Sequence, residues 1–234
     1  MSALHTNANG SFINLGSNHK SMEKGDFVTI AYTARVRETD EVFDTTYEEV
    51  AREKGIHTEN ATYGPVTIVL GAAHVIPGLE KVLLEMIPGE EREVDLEPGE
   101  AFGKRDRSLI VTVSLREFRK HRLLPRAGMR IEINNRWATV RSVSSGRVTL
   151  DFNHPLSGKA VHYSVHLLGK VEGTKEQIQA MLSLLKIKGE VTEDEEGYAI
   201  KTEGLQKGKE KNIQNVVKKE ISKYIPQVRI SFVG

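Results

Sequence analysis

Cysteine is absent from this chain of 234 residues, which excludes disulfides, thiolate nucleophiles and cysteine-held metals. Aromatic residues make up only 6% of the chain, with a single tryptophan, so any aromatic site must be assembled from a few rings spread far apart in sequence. Long apolar runs are also lacking, and nothing approaches a membrane span. The first 21 residues are polar and carry no basic stretch leading into an apolar core, so they do not read as a secretory signal. We read residues 1–22 as a disordered tail, with Met22 a candidate alternative start because patterned sequence begins directly after it. Lack of cysteine and of a signal fits a reducing compartment, and the chain is read as cytoplasmic.

Several chemistries lose their motifs. There is no Gly-x-Ser-x-Gly nucleophile turn. Neither the Walker phosphate loop nor Gly-x-Gly-x-x-Gly occurs. Of the eight histidines, only His162 and His166 have ligand-like spacing, and they fall in an alternating strand pattern that stands them well apart. We therefore expect no metal and no cofactor, with His74 and His154 serving loops through hydrogen bonds.

What the chain does have is segregated charge. The net of +1 divides into an acidic stretch to Gly103, with 8 Lys+Arg against 18 Asp+Glu, and a basic one from Lys104 to Leu150, with 12 against 3. From Asp151 onward the count is 13 against 11. A polyanionic partner would prefer the basic stretch.

Periodicity divides the chain further. Val28, Ile30, Tyr32, Ala34 and Val36 alternate as in a half-buried strand, and Val42 to Asp44 reads as a second. Thr46 to Lys54 can form a turn of helix before Gly55, and Val66 to Leu70 is β-branched. Pro77 opens a helix with Leu79, Val82, Leu83 and Met86 on one stripe, ended by Pro88-Gly89, and Arg92 to Leu96 alternates again. Strand patterns recur at 109–115, 129–133, 137–143 and 147–152, with a basic run from Arg116 to Arg126 among them. Asn134-Asn135 and Ser144-Ser145-Gly146 read as hairpin turns. After the strand-like Val161 to Leu168, Thr174 and Gln177 have the spacing of a capping box before a helix with Ile178, Met181, Leu182 and Leu185 inward. A hairpin over 191–201, a helix with Ile213, Val216, Val217, Ile221 and Tyr224 on one stripe, and a strand over 228–233 complete a small α+β unit.

By pattern alone Tyr32, Phe43, Val75, Ile76, Phe102 and Tyr163 are core residues. Four motifs around them change that reading: Tyr32 in the first strand, Val42-Phe43-Asp44, Gly71-x-x-x-Val75-Ile76-x-Gly78-Leu79-Glu80, and Ala101-Phe102-Gly103. After the basic stretch, Asn153-His154-Pro155-Leu156-Ser157-Gly158 rejoins them. In this order the chain resembles the FKBP-type peptidyl-prolyl isomerases over about 25–171, and within them the SlyD-like branch that carries a chaperone domain inserted in its flap. The resemblance implies an α+β fold, an antiparallel β-sheet wrapped on a short helix. Residues 23–104 and 152–171 would form this discontinuous isomerase domain, 105–151 the inserted β-rich domain, and 172–234 a C-terminal α+β domain.

It also implies isomerase and folding-chaperone activity on X-Pro bonds of unfolded or partly folded polypeptides. The prolyl pocket would be walled by Tyr32, Phe43, Val66, Phe102 and Tyr163 with Leu79 as floor. Val75 would bind substrate with them, Asp44 would be the polar group beside the pocket, and Ile76 would offer its backbone N–H to the peptide. Three positions depart from common family choices: Leu79 stands where eukaryotic members have tryptophan, Val66 replaces an aromatic wall, and Phe102 replaces a tyrosine. The chain also ends in patterned sequence rather than a His/Cys-rich tail, so nickel delivery is not carried over. Alternatives of other classes are a holdase with little isomerase activity, ribosome or RNA contact through the basic stretch, and a homodimer through the C-terminal helices.

Overall fold

The computed structural model describes residues 22–203 and 210–233. The expected tail lies outside the described residues except for Met22, which is buried against the core of the first sheet. The long strand β1 (Phe27–Val36) organises that sheet. Along one edge it pairs with β2 (Val42–Thr45) and β3 (Val66–Val69), and along the other with β9 (Val161–Lys170), which in turn pairs with β4 (Glu90–Leu96). All these pairings are antiparallel. β9 thus closes the sheet between β1 and β4 although it follows the basic stretch in sequence.

A helix of six residues, α1 (Glu48–Glu53), precedes Gly55, whose φ of +69° suits the turn that stops it. The helix α2 (Pro77–Glu85) lies across the inner face. Its Leu79 and Leu83, with Met86 just beyond its end, are fully buried among Val28, Ile30, Ala34, Val161, Val165 and Leu167. Each such side chain contributes roughly 1.5–3 kcal/mol when removed from water. The helix stops at Met86, whose backbone turns extended, before the Pro88-Gly89 turn.

The basic stretch folds on its own sheet, in the order β5-β8-β7-β6, built from β5 (Ile110–Ser114), β6 (Arg130–Ile133), β7 (Arg136–Ser144) and β8 (Arg147–Asp151). Its turns are Asn134-Asn135 and Ser145-Gly146, all four residues with positive φ, as the tightest hairpin turns require. Part of the basic run is helical rather than irregular: α3 (Leu115–Lys120) buries Phe118 in this sheet's small core. The neck is pinned twice. Arg105 pairs with the buried Asp151, and Asn153 exchanges hydrogen bonds with Asp106, accepting from its N–H at 2.9 Å and donating to its carbonyl at 2.8 Å.

The C-terminal unit packs α4 (Thr174–Leu184) and α5 (Glu210–Tyr224) with β10 (Gly189–Asp194), β11 (Gly197–Thr202) and β12 (Ile230–Val233). Strands β10 and β11 are antiparallel, β11 and β12 parallel. The expected capping box does not form. Gly173 is the cap residue, and Gln177 reaches back to donate to the Val171 carbonyl at 2.8 Å. Val216 stands outside the buried stripe of α5 at 52% exposed, while Val217 and Ile221 are buried. This unit also covers one end of the first sheet: Phe27 and Val69, cross-strand partners on its outer face, are buried in the C-terminal core.

Candidate active site

Four rings from distant stretches meet at the inner face of the first sheet. Tyr163, 5% exposed, lies with its centroid 5.8 Å from Tyr32 and 6.2 Å from Phe43. Phe102 meets Phe43 edge-on at 5.7 Å. Strand register accounts for the first contact, since β1 and β9 run side by side and bring Tyr32 opposite Val165, two pairs from Tyr163 and therefore on the same face. Leu79 is buried in the same core, on which Val66, Val75 and Ile76 pack half-buried. Of the residues expected from sequence, four rings therefore meet here and the others pack on the same core, while the exposed Asp44 accepts a 2.8 Å hydrogen bond from the Tyr32 hydroxyl. The set is a buried floor with a half-exposed rim. Cavities of about 300 and about 370 Å3 lie elsewhere, lined by other residues.

Glycine at position 78 draws two parts of this rim together. Its N–H donates to the Glu100 carbonyl at 2.7 Å, and a Cβ there would lie 2.7 Å from Leu96 Cδ2. The start of α2, with Ile76 as its cap residue, is thereby held against the loop that carries Phe102. Among the described residues the Ile76 N–H has no hydrogen-bond partner. The loop before it is tied at two points. Gly71 N–H donates to Glu80 Oε1 at 2.6 Å, and Val69 N–H donates to His74 Nδ1 at 3.1 Å.

Phe102 is held from the other side by the segment returning from the neck. Ser157 Oγ donates to the Phe102 carbonyl at 3.0 Å, Gly158 N–H to the Gly103 carbonyl at 2.9 Å, and the His154 ring stacks flat on Phe102 at 4.7 Å. Sequence reading assigned His154 only a loop hydrogen bond. That bond exists, with Leu156 N–H donating to Nδ1 at 3.2 Å, but the stack between residues 52 positions apart has no local signal.

The electrostatics oppose proton transfer. Burial first, then the Asp44 charge, pushes both the Tyr32 and the Tyr163 hydroxyl well above the ordinary tyrosine range, so both stay protonated. Burial, then the Lys223 charge, holds His74 below the usual imidazole range; burial, then Arg130, does the same to His154. His162 and His166 prove to face carboxylates across β4, Asp95 at 2.7 Å and Glu91 at 3.6 Å. Four positions along a strand place them roughly 13 Å apart, and among the described residues no group of three or more His, Cys, Asp or Glu could hold a metal ion.

Known proteins share both parts of this arrangement. The signature of FKBP-type peptidyl-prolyl cis-trans isomerases matches residues 18–115, and that of the FKBP26 IF (insert-in-flap) domain matches 112–156. A short-type peptidyl-prolyl cis-trans isomerase of Methanocaldococcus jannaschii is 34% identical over 144 residues, 62% of this chain and 90% of that one. The chain belongs to the FKBP-type peptidyl-prolyl cis-trans isomerases. A SlyD isomerase of Helicobacter pylori is 30% identical over 57% of this chain and 75% of its own, and the FKBP-type 16 kDa isomerase of Escherichia coli 33% over 44% and 72%. The FKBP-type signature ends inside the insert, at residue 115, so it omits β9, the strand that carries Tyr163. Among the described residues no helix is long and apolar enough to cross a membrane.

Proposed function

We propose that the four-ring site binds the prolyl ring and twists the preceding amide, while the insert holds the unfolded chain that presents it. The observation that carries this reading is the convergence of Tyr32, Phe43, Phe102 and Tyr163 on one core with Ile76, whose N–H has no partner among the described residues. Rotation about an X–Pro bond meets a barrier of about 20 kcal/mol because resonance gives the amide double-bond character. The twisted amide has lost that resonance and is less charge-separated than the planar one. A water-poor aromatic surface therefore disfavours the planar form more, which is selective stabilisation of the transition state without acid, base or covalent bond. Leu79 forms the floor, Val66 and Val75 flank the ring, and Ile76 N–H fixes the neighbouring carbonyl. Asp44 orients Tyr32 through its hydroxyl, so the ring edge rather than the charge faces the substrate.

Uncatalysed prolyl isomerisation takes tens of seconds and can limit folding. An attached surface that retains unfolded chain raises the local concentration of prolyl bonds. The insert suits that task, exposing Val111, Leu124, Trp137 and Val143. Protein clients suit it better than RNA, because Phe118 is buried and Trp137 is the one large aromatic exposed among the described residues of the insert, too few to stack successive bases. A cytoplasmic location belongs to the same reading.

Phe43→Ala tests the site. A protease-free assay on a short proline peptide should show kcat/KM falling at least roughly tenfold, the equivalent of about 1.4 kcal/mol of transition-state stabilisation. Unchanged turnover would sink the assignment.

A further inference from the structure

Beside the aromatic site, between the insert and the returning segment, lies the cavity of about 300 Å3. Its walls include Arg130 and Trp137 from the insert and Phe152, Asn153, His154 and Pro155 from the return. His154 has two faces of work here, since the ring that lines the cavity also stacks on Phe102. The two sites therefore share a wall one imidazole thick. A chain with proline against Phe43 and Phe102 would cross that wall within two or three extended residues, at about 3.3 Å each.

The charge of the cavity is one-sided. Arg130 lines it and lies over Trp137, while Arg136, outside the lining, reaches its wall by lying over Phe152 at 5.0 Å. Among the described residues the arginines of the insert that hold a carboxylate are Arg105 and Arg141, both on Asp151; Arg130 and Arg136 hold none. Glu132 is the cross-strand partner of Trp137, but it pairs with neither guanidinium. Trp137 is 56% exposed, so the aromatic wall and the guanidinium edge both remain open to a ligand.

We propose that this cavity is a specificity subsite for the polypeptide substrate, and that it selects an acidic side chain two to four residues from the proline. The carboxylate takes hydrogen bonds from the free edges of Arg130 and Arg136, and its methylene stem lies on Trp137 and Phe152. The proposal rests on the prolyl site proposed above. It extends that site through His154 into the insert, giving the insert a part in choosing which prolyl bond is turned over.

Exchange NMR on the full chain can test it with one set of peptides. All share a single X-Pro core, with Glu, Gln or Lys scanned two to four residues to either side. At one position at least, the Glu peptide should exceed its Lys counterpart by roughly three- to fivefold in kcat/KM at low salt, the scale of a partly exposed ion pair. That ratio, read within each enzyme, should fall to about one in Arg130→Gln plus Arg136→Gln and at high salt, and should persist in Arg130→Lys plus Arg136→Lys. Equal turnover of Glu, Gln and Lys peptides at every position overturns the subsite while leaving the prolyl site standing. So does a preference that survives the double glutamine change. A neutral peptide that is not turned over at all overturns the prolyl site, and the subsite with it.

Discussion

The first sheet and the insert are both antiparallel and similarly regular, yet they dispose of their apolar side chains in opposite ways. In the sheet nearly every large apolar residue of the inner face is buried, and the rings left half-exposed are gathered at one edge. In the insert a core of six buried residues coexists with four exposed ones, Leu124 at 72% among them. Charge divides the same way, acidic up to Gly103 and basic from Lys104 to Leu150. On the function proposed above, the first surface takes a single ring and the second takes chain of no fixed shape. Catalysis would then depend on geometry, and retention of clients on apolar content, the feature unfolded sequences share.

Separating the two parts should have the largest effect. Replacing Arg105–Asp151 by a short linker leaves Ser157 and Gly158 to hold the Phe102-Gly103 carbonyls, so the site should keep its shape. Turnover of short peptides should then stay within a factor of a few. Catalysis of a proline-limited refolding reaction should drop roughly 100-fold, the scale of a lost local-concentration effect. Equal losses on both substrates would mean the insert and the site do not divide the labour.

Within the sheet, Gly78→Ala comes next. The added Cβ would meet Leu96 Cδ2 at 2.7 Å and the Glu100 backbone oxygen at 3.0 Å, and the backbone cannot yield as a side-chain tip does. Denaturant unfolding should show a loss of roughly 1–3 kcal/mol, as for other overpacked cores, with peptide turnover reduced because α2 and the Phe102 loop are forced apart. A variant of wild-type stability and activity would show that this approach is not needed.

Much of the fold is readable from sequence, because alternation in a sheet with one buried face is a direct record of burial. β4 and β9 show it, and the hairpin turns at Asn134-Asn135 and Ser145-Gly146 are equally local in origin. The errors concern helix starts. The Ser/Thr-x-x-Glu/Gln spacing at Thr174 and Gln177 forms no box, while the same spacing at Ser114 and Glu117 lies beside a charge run that masks it. There Ser114 does cap α3, its Oγ accepting from Arg116 N–H at 3.2 Å. A six-residue helix with one buried ring has too short a stripe for periodicity to register. At the candidate site, motifs point to residues that pack on one core, whereas the His154–Phe102 stack and the buried Phe27–Val69 pair depend on which unit lies over which face. Nothing local records that.

On the surface of the insert, Leu124→Ser with Trp137→Ser should separate stability from client handling. Both side chains are exposed, at 72% and 56%, so unfolding free energy should move by about 0.5 kcal/mol or less. Refolding catalysis should fall several times further than peptide turnover does. If refolding is untouched while peptides slow, the exposed residues serve the site and not the client.

The smallest effect should come from acid, and it probes both parts at once. His74 in the loop before Ile76 and His154 at the junction with the insert each accept a backbone N–H at Nδ1, from Val69 and Leu156. A protonated ring carries N–H on both nitrogens and can accept neither bond. Both groups are held below the ordinary imidazole range in the folded chain, chiefly by burial. The unfolded chain therefore takes up protons first, near about pH 6.5, and stability should be complete above that range and decline as pH falls through it. Turnover should be flat from neutrality upward, since the Tyr32 and Tyr163 hydroxyls stay protonated, and should weaken below it as the Gly71–Ile76 loop and the His154 stack loosen. Peptide exchange measured against pH for wild type and His74→Gln separates the contributions. Glutamine's amide oxygen can accept from an N–H without titrating, so the acid loss should shrink to the part that belongs to His154. A bell-shaped profile centred on neutrality would point instead to a proton-transferring group, and to a different mechanism from twisting in a dry aromatic site.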